Sequence, residues 1–365
     1  MQEVLTKQSF TDIIYFTNRV KEVIWVKVDR RAIECIENKF LRLPNVQKYE
    51  IIEKTENGFL ASVEMEDGYE FVINAFVTAQ VFPSSVIQLI DKQKDEKGMP
   101  VLISPYISER TAQICEENRV GYFDYAGNCW FVGHSIYLSE KGNKNIQPKE
   151  QKAVSIFEKS SIVSSLILRE LFADVTKVWK LKYLSEKVNC SIGQVSKVMN
   201  FLVQNVWAEK TKEGFLLKNP EPLLKEWSRI YGNKEVTAYN CYTIDNISLF
   251  EKKLKLLKED TGIESYLTGF SGGVRYTPVV RYNKVHVFIS PEDIPEAIRY
   301  LELKEVSSGA NVVIFAIDND SYITGGREIN SDMVVSPIQI YLDCMQLKGR
   351  GEELAEAILR KEILK

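Results

Sequence analysis

Histidine is nearly absent from this chain: His134 and His286 are the only two in 365 residues. A histidine-based triad or metal centre therefore has little to draw on. The six cysteines, Cys35, Cys115, Cys129, Cys190, Cys241 and Cys344, are scattered with no CxxC pair. Zinc spacing and a disulfide framework are both poor readings of that pattern, and reduced cytoplasmic thiols are the better one. No apolar run approaches the roughly 18 residues of a membrane span. The start, MQEVLTKQSF, lacks a basic stretch followed by an apolar one, so no secretory signal is expected. Internal repeats and low-complexity tracts are missing too. These absences leave a cytoplasmic protein of two or three domains, with no catalytic residues, no cofactor and no metal expected.

Charge is where the chain is uneven. The net charge is only −3. Residues 151–230 nevertheless hold thirteen basic and eight acidic residues, a local balance of +5 inside an otherwise acidic protein. A local excess of this kind is an electrostatic footprint for a polyanion, or simply a solvated surface.

Hydrophobic spacing divides the chain. Residues 1–45 read as helical, with Ile33, Ile36, Phe40 and Leu43 at three- and four-residue steps and Pro44 ending the run. Three strand-like segments follow, VQKYEIIEK, GFLASVEME and YEFVINAFVT, separated by the tight breaks ENG and EDG. Then come a helix near 83–96, the short buried strand PVLISPY, the helix SERTAQICEEN with Ser108 as its N-cap, and a strand, turn, strand in VGYFDYAGNCWFV. EKGNKNIQPKEQK, residues 140–152, reads as a linker. The expected domains are 1–140, 153–230 and 231–365, with 141–152 between the first two. The last mixes the strands EVTAYNCYTI, KVHVFIS and NVVIFAID with four helices.

The most informative stretch is LSEKVNCSIGQVSKVMNFL, residues 184–202. Leu184 and Val188 share one face of a first helix. Asn189 stands where the chain must turn, and asparagine tolerates the left-handed conformation. Ser191 can cap a second helix, with Gln194 completing a capping box. Ile192, Val195, Val198, Met199 and Leu202 form the expected buried stripe. Gly193, Gln194, Ser196, Lys197 and Asn200 are left outward, and such side chains suit base edges and phosphates in a major groove. VWAEKTKEGFLLKNP then reads as strand, turn at 212–214, strand: the wing of a winged helix-turn-helix, with Lys210 and Lys212 near a phosphate backbone. SSIVSSLILRELFAD supplies a supporting helix, and Trp179, Trp207 and Trp227 read as packing. The DNA-binding candidates are Ser191, Gln194, Ser196, Lys197, Asn200, Lys210 and Lys212, with double-stranded operator DNA as partner. A module used only for packing or dimerisation is the alternative.

The flanking domains resemble enzymes without their metal ligands. The first is similar in layout to the restriction-endonuclease-like α/β core, which needs an Asp and then a Glu and Lys two apart. YEFVINAFVT offers Glu70, Val72, Asn74 and Phe76, and no Lys; Glu64, Glu66 and Asp67 read as hairpin surface. A metal-dependent nuclease using Glu64 and Glu70 remains as an alternative. GYFDYAGN reads as a turn in which Asp124 and Asn128 cap backbone groups. In the α+β, nucleotidyltransferase-like third domain, LTGFSGGVRY suggests a phosphate loop, yet KVHVFIS carries no carboxylate. Gly269, Gly272 and Gly273 are therefore expected to form a tight turn without a ligand. In GRGEE, Glu352 and Glu353 already occupy the helix start, so Arg350 reads as a structural partner.

Pro337, Gln339, Tyr341, Asp343, Gly349, Arg350, Gly351, Glu352, Glu353 and Ala355 together resemble the C-terminal signature of the AbiEi-type antitoxins of type IV toxin–antitoxin systems. PVLISPYISERTAQICEENRVGYFDYAGNCWF and LTGFSGG resemble other segments of that group. The resemblance implies a bacterial transcriptional regulator that represses its own operon through a winged helix. It also implies a nucleotidyltransferase-like toxin as genetic partner, countered without a stable complex. One departure stands out: the winged helix lies centrally here, whereas better-known antitoxins of this type carry it at the N-terminus. A stand-alone regulator and a toxin-neutralising interaction module therefore stay open beside the antitoxin.

Overall fold

The computed structural model describes residues 30–93, 98–144, 156–157, 162–231 and 236–365. The expectations for residues 1–29, and for most of the 140–152 segment, fall outside them. The chain divides into two units, Met1–Gln151 with Gln204–Val206, and Lys152–Val203 with Trp207–Lys365.

The first unit opens with α1 (Arg30–Phe40), which buries Ala32, Ile36 and Phe40. A meander of β1 (Val46–Thr55), β2 (Gly58–Met65) and β3 (Glu70–Val77) follows. Thr55 pairs with Gly58, so Glu56 and Asn57 alone make the first turn. α2 (Pro83–Gln93) then crosses to β4 (Met99–Ser104), and α3 (Glu109–Glu117) crosses to β5 (Gly121–Asp124). Parallel neighbours need such crossovers, and β3, β4 and β5 are parallel. β6 (Cys129–Gly133) and β7 (Ile136–Glu140) complete, among the described residues, a seven-stranded sheet in sequential order. α1 covers one face, with the Phe40 ring 5.1 Å from that of Phe131. α2 and α3 contribute Val86, Leu89, Ile114 and Cys115 to a separate cluster with Leu102 and Tyr122. Ser108 caps α3 as expected, its Oγ accepting from the Thr111 N–H at 3.2 Å.

The second unit begins with α4 (Ile162–Ala173), α5 (Leu181–Val188) and α6 (Ile192–Gln204), then the hairpin β8 (Ala208–Lys210) and β9 (Phe215–Leu217). α7 (Pro220–Tyr231) leads out of this group, followed by β10 (Ala238–Tyr242) and α8 (Ile247–Thr261). Next come β11 (Ser265–Thr268), α9 (Gly269–Tyr276), β12 (Val285–Ile289), α10 (Ile294–Tyr300), β13 (Lys304–Glu305) and β14 (Val312–Ala316). The antiparallel pair β15 (Arg327–Ile329) and β16 (Asp332–Val334) precedes α11 (Pro337–Cys344) and α12 (Gly351–Ile358). The mixed sheet runs β13-β10-β14-β12-β11-β16-β15. A single apolar core runs from Leu168, Leu171 and Trp227 into Val287, Ile340 and Leu354.

Two expectations are corrected here. The glycine cluster 269–273 is not a tight turn but the start of α9. A Cβ on Gly272 would sit 2.6 Å from the Leu267 carbonyl oxygen, and one on Gly273 2.6 Å from Leu354 Cδ2. The missing side chains let α9 lie directly on β11, α11 and α12, a packing role that spacing alone does not reveal. The short strands β7, β11, β13, β15 and β16 also escaped the sequence reading. They are too brief, or too local in their pairing, to show a period of two.

Candidate nucleic-acid interface

The LSEKVNCSIGQVSKVMNFL stretch folds as its chemistry requires. α5 ends at Asn189 in the left-handed region, φ 52° and ψ 53°, and its backbone N–H donates to the Glu186 and Ser185 carbonyls. Ser191 and Gln194 form the expected reciprocal box: Ser191 Oγ accepts from the Gln194 N–H at 3.2 Å, and Gln194 Oε1 accepts from the Ser191 N–H at 3.1 Å. Both orphan amides are thereby satisfied at the start of α6. Val195, Val198, Met199 and Leu202 are buried. Ile192, expected in that stripe, is 49% exposed. It stands on the first turn, where the helix has not yet come against the core.

The outward face contains Ser191, Ile192, Gly193, Gln194, Lys197 and Asn200, all exposed, with Ser196 half-buried beneath. Asn200 Nδ2 lies 3.4 Å from Ser196 Oγ. The hairpin follows directly. Its loop is closed by Thr211, whose Oγ1 accepts from the Glu213 and Gly214 N–H groups, both at 3.2 Å. Gly214 runs so close to the chain before α5 that a Cβ there would meet the Trp179 oxygen at 2.5 Å. Trp179 pairs with Phe215 across this approach, extending the two-stranded hairpin by one residue. Trp179, Trp207 and Trp227 are all buried, as packing residues should be.

Burial and pairing redistribute the positive charge read from the sequence. Arg169 is interior. Lys218, Lys225 and Arg229 pair with Glu209, Glu221 and Glu226. Among the described residues, exposed Lys180, Lys187, Lys197, Lys210 and Lys212 form no ion pair, and they belong to α5, α6, the hairpin and their approaches. Lys177 instead lies over the rings of Trp179 and Tyr183, at 4.2 and 4.3 Å.

The other candidates resolve as structural features. Glu64 and Glu70 face each other across β2 and β3, and Glu70 accepts from Ser62 Oγ at 2.5 Å. Among the described residues no three His, Cys, Asp or Glu side chains converge as a metal-binding group would. Asp124 accepts from the Ala126 and Asn128 N–H groups at 3.0 and 2.8 Å, the capping turn expected of GYFDYAGN. Arg350 donates to Glu353 and to the Val279 carbonyl, at 3.0 Å to the latter. That pairing holds the Glu353 carboxyl below the ordinary carboxylate range.

Comparison with known families falls on the C-terminal part of this unit. Residues 216–364 match the family model described as "Transcriptional regulator, AbiEi antitoxin, Type IV TA system". The resemblance read from 337–355 and from LTGFSGG is borne out over that stretch. No curated protein and no solved structure matches the chain. Within the AbiEi match, the motif residues have visible work. Gln339 is fully buried and joins α4, α7 and α11 through its amide. Gly351 must lack a side chain, because a Cβ there would lie 2.3 Å from the Cys344 oxygen. Arg169, one of the thirteen basic residues of 151–230, is buried instead of exposed. A lone arginine inside ILRELF was the available signal, since a charge in an apolar run needs a buried partner. No helix among the described residues is long and apolar enough to cross a membrane.

Proposed function

We propose that the chain is a DNA-binding transcriptional regulator, reading operator DNA through a winged helix-turn-helix built from α4, α5, α6 and the β8–β9 hairpin. The observation that carries this is the exposed face of α6, with Gln194, Lys197 and Asn200 beside a hairpin bearing unpaired Lys210 and Lys212. The family description of the adjoining residues supports it. α6 enters the major groove; Gln194, Ser196, Lys197 and Asn200 meet base edges or nearby phosphates, and Ser191 lies at the groove rim. The exposed methyls of Ile192 suit a thymine methyl. Lys210 and Lys212 hold the backbone and carry no sequence information.

In this reading the four segments 1–140, 141–152, 153–230 and 231–365 are a restriction-endonuclease-like scaffold without catalytic ligands, a linker, the DNA reader and a nucleotidyltransferase-like antitoxin domain. The regulator represses its own operon. A nucleotidyltransferase-like toxin is its genetic partner, countered without a stable complex.

The test is fluorescence anisotropy of the full-length protein on duplex DNA from upstream of its own gene. Binding should appear in low salt and weaken steeply as salt rises. Folded protein that shows no binding at about 50 mM salt, where phosphate contacts are strongest, ends the proposal.

A further inference from the structure

The second unit contains a cavity of about 180 Å³. Val236, Phe288, Phe315 and Leu347 give it apolar walls, and Asp343 and His286 line it as well. The His286 ring is buried, lies 6.0 Å from Phe315 in a stacked arrangement, and has no hydrogen-bond partner for Nδ1. Gly269 presses against that ring at φ +52°, where a Cβ would be 2.9 Å from Nδ1.

Asp343 is the unusual member. Its carboxylate accepts from Thr268 Oγ1 at 2.5 Å and from Gln339 Nε2 at 2.7 Å. The Tyr231 hydroxyl bonds it as well, and all three partners are neutral. Arg169 reaches it through the Gln339 amide. Burial pushes the Asp343 carboxyl up to about 6 and the His286 imidazole down to about 4. At neutral pH the lining therefore holds one carboxylate and no cation. A carboxylate facing apolar walls is costly unless a cationic donor neutralises it. Aromatic walls favour such a cation further.

We propose that this cavity is a binding site for a small molecule consisting of one flat aromatic ring with a protonated amine or amidine, its N–H groups on Asp343 and its ring among Phe288, Phe315 and Leu347. The size is right: an apolar cavity of about 150 Å³ takes up benzene, so this one accepts a single substituted ring. Asp343 links such a ligand, through Gln339, to Arg169 of α4 and Tyr231 of α7. The site is separate from the DNA-reading face, and its occupancy is measured without DNA, so the two proposals fail independently.

The probe is benzamidine, titrated by calorimetry into the full-length protein at pH 7.5, with benzoate and benzyl alcohol as the anionic and neutral counterparts. Benzamidine should bind, benzyl alcohol at least tenfold more weakly, and benzoate not at all. Asp343→Asn should weaken benzamidine at least tenfold. Val236→Trp, at the half-buried rim, should block it while leaving the circular dichroism spectrum and melting temperature of the wild type. Absence of benzamidine binding to wild-type protein at millimolar concentration overturns the proposal. Unchanged benzamidine affinity in folded Val236→Trp does so as well.

Discussion

Arg169 and Asp343 are connected through one amide: Gln339 Oε1 accepts from Arg169 Nη2 at 2.5 Å, and Gln339 Nε2 donates to Asp343 Oδ1 at 2.7 Å. The same Nε2 donates to the Tyr231 hydroxyl at 2.7 Å. A buried cation and a half-buried anion are thus linked at one remove, across α4, α7 and α11. Arg169 has no other polar partner for its Nε and Nη1, although its guanidinium lies 5.5 Å from the Trp227 ring. Replacing Gln339 by Leu removes the hydrogen-bond partner of Arg169, while Asp343 keeps the Thr268 hydroxyl. The expected cost is about 1.5–3 kcal/mol, the range for a hydrogen bond to a charged group. Urea unfolding measures it, and a loss below about 1 kcal/mol, the worth of an ordinary hydrogen bond, would contradict the arrangement's importance.

Lys210→Ala with Lys212→Ala should weaken binding to every duplex by a similar factor. The slope of log affinity against log salt should become shallower by about 1 for each lysine removed. Anisotropy titrations at several salt concentrations, on operator and scrambled DNA, supply both numbers. An unchanged slope would remove these lysines from the phosphate contact.

Ser191 and Gln194 have two roles that mutation can separate. Ser191→Ala removes the α6 cap and should cost about 1 kcal/mol of stability. Lys197→Ala, on the same exposed face with no ion pair, should leave stability within about 0.5 kcal/mol and still lower DNA affinity. Thermal melts alongside binding curves distinguish the two. Equal effects of both substitutions on melting would deny Ser191 its capping role.

Asp343 and His286 oppose each other in pH dependence. The folded carboxyl of Asp343 titrates near 6, above its unfolded value of about 4, so its contribution to stability falls as pH rises between them. The His286 imidazole titrates near 4 when folded, below its unfolded value of about 6.5, so its contribution rises over that window. Wild-type stability should show little net slope from this pair. Asp343→Asn should leave the rising slope, and His286→Gln the falling one. Denaturant midpoints from pH 4 to 6.5 test this, and parallel curves for the three proteins would rule it out.

Local chemistry was legible in the order of residues. The left-handed Asn189, the Ser191–Gln194 box, the Ser108 cap and the Asp124 turn each depend on neighbours within a few positions, and each formed as read. The tight breaks between β1, β2 and β3 and the three- and four-residue steps of α1 were legible for the same reason. The reading failed where a residue's fate depended on chain far away. Gly272, in the first turn of α9, has no room for a side chain because Leu267 and Ile340 occupy that space. Ile192 is exposed because nothing distant covers the first turn of α6.

Residue order alone fixed the longer helices and strands, the caps at Ser108 and Ser191, and the C-terminal motif that the AbiEi family match bears out. Those follow from hydrogen bonds and side-chain periods within one or two turns. Which charges are free to meet a polyanion and which are interior followed from the packing of the whole fold. It withdrew Arg169 from the basic face and set Asp343, 174 positions along the chain, one amide away. Burial is a property of the whole fold, and desolvation acts on whatever the fold encloses, however far apart the residues stand in sequence.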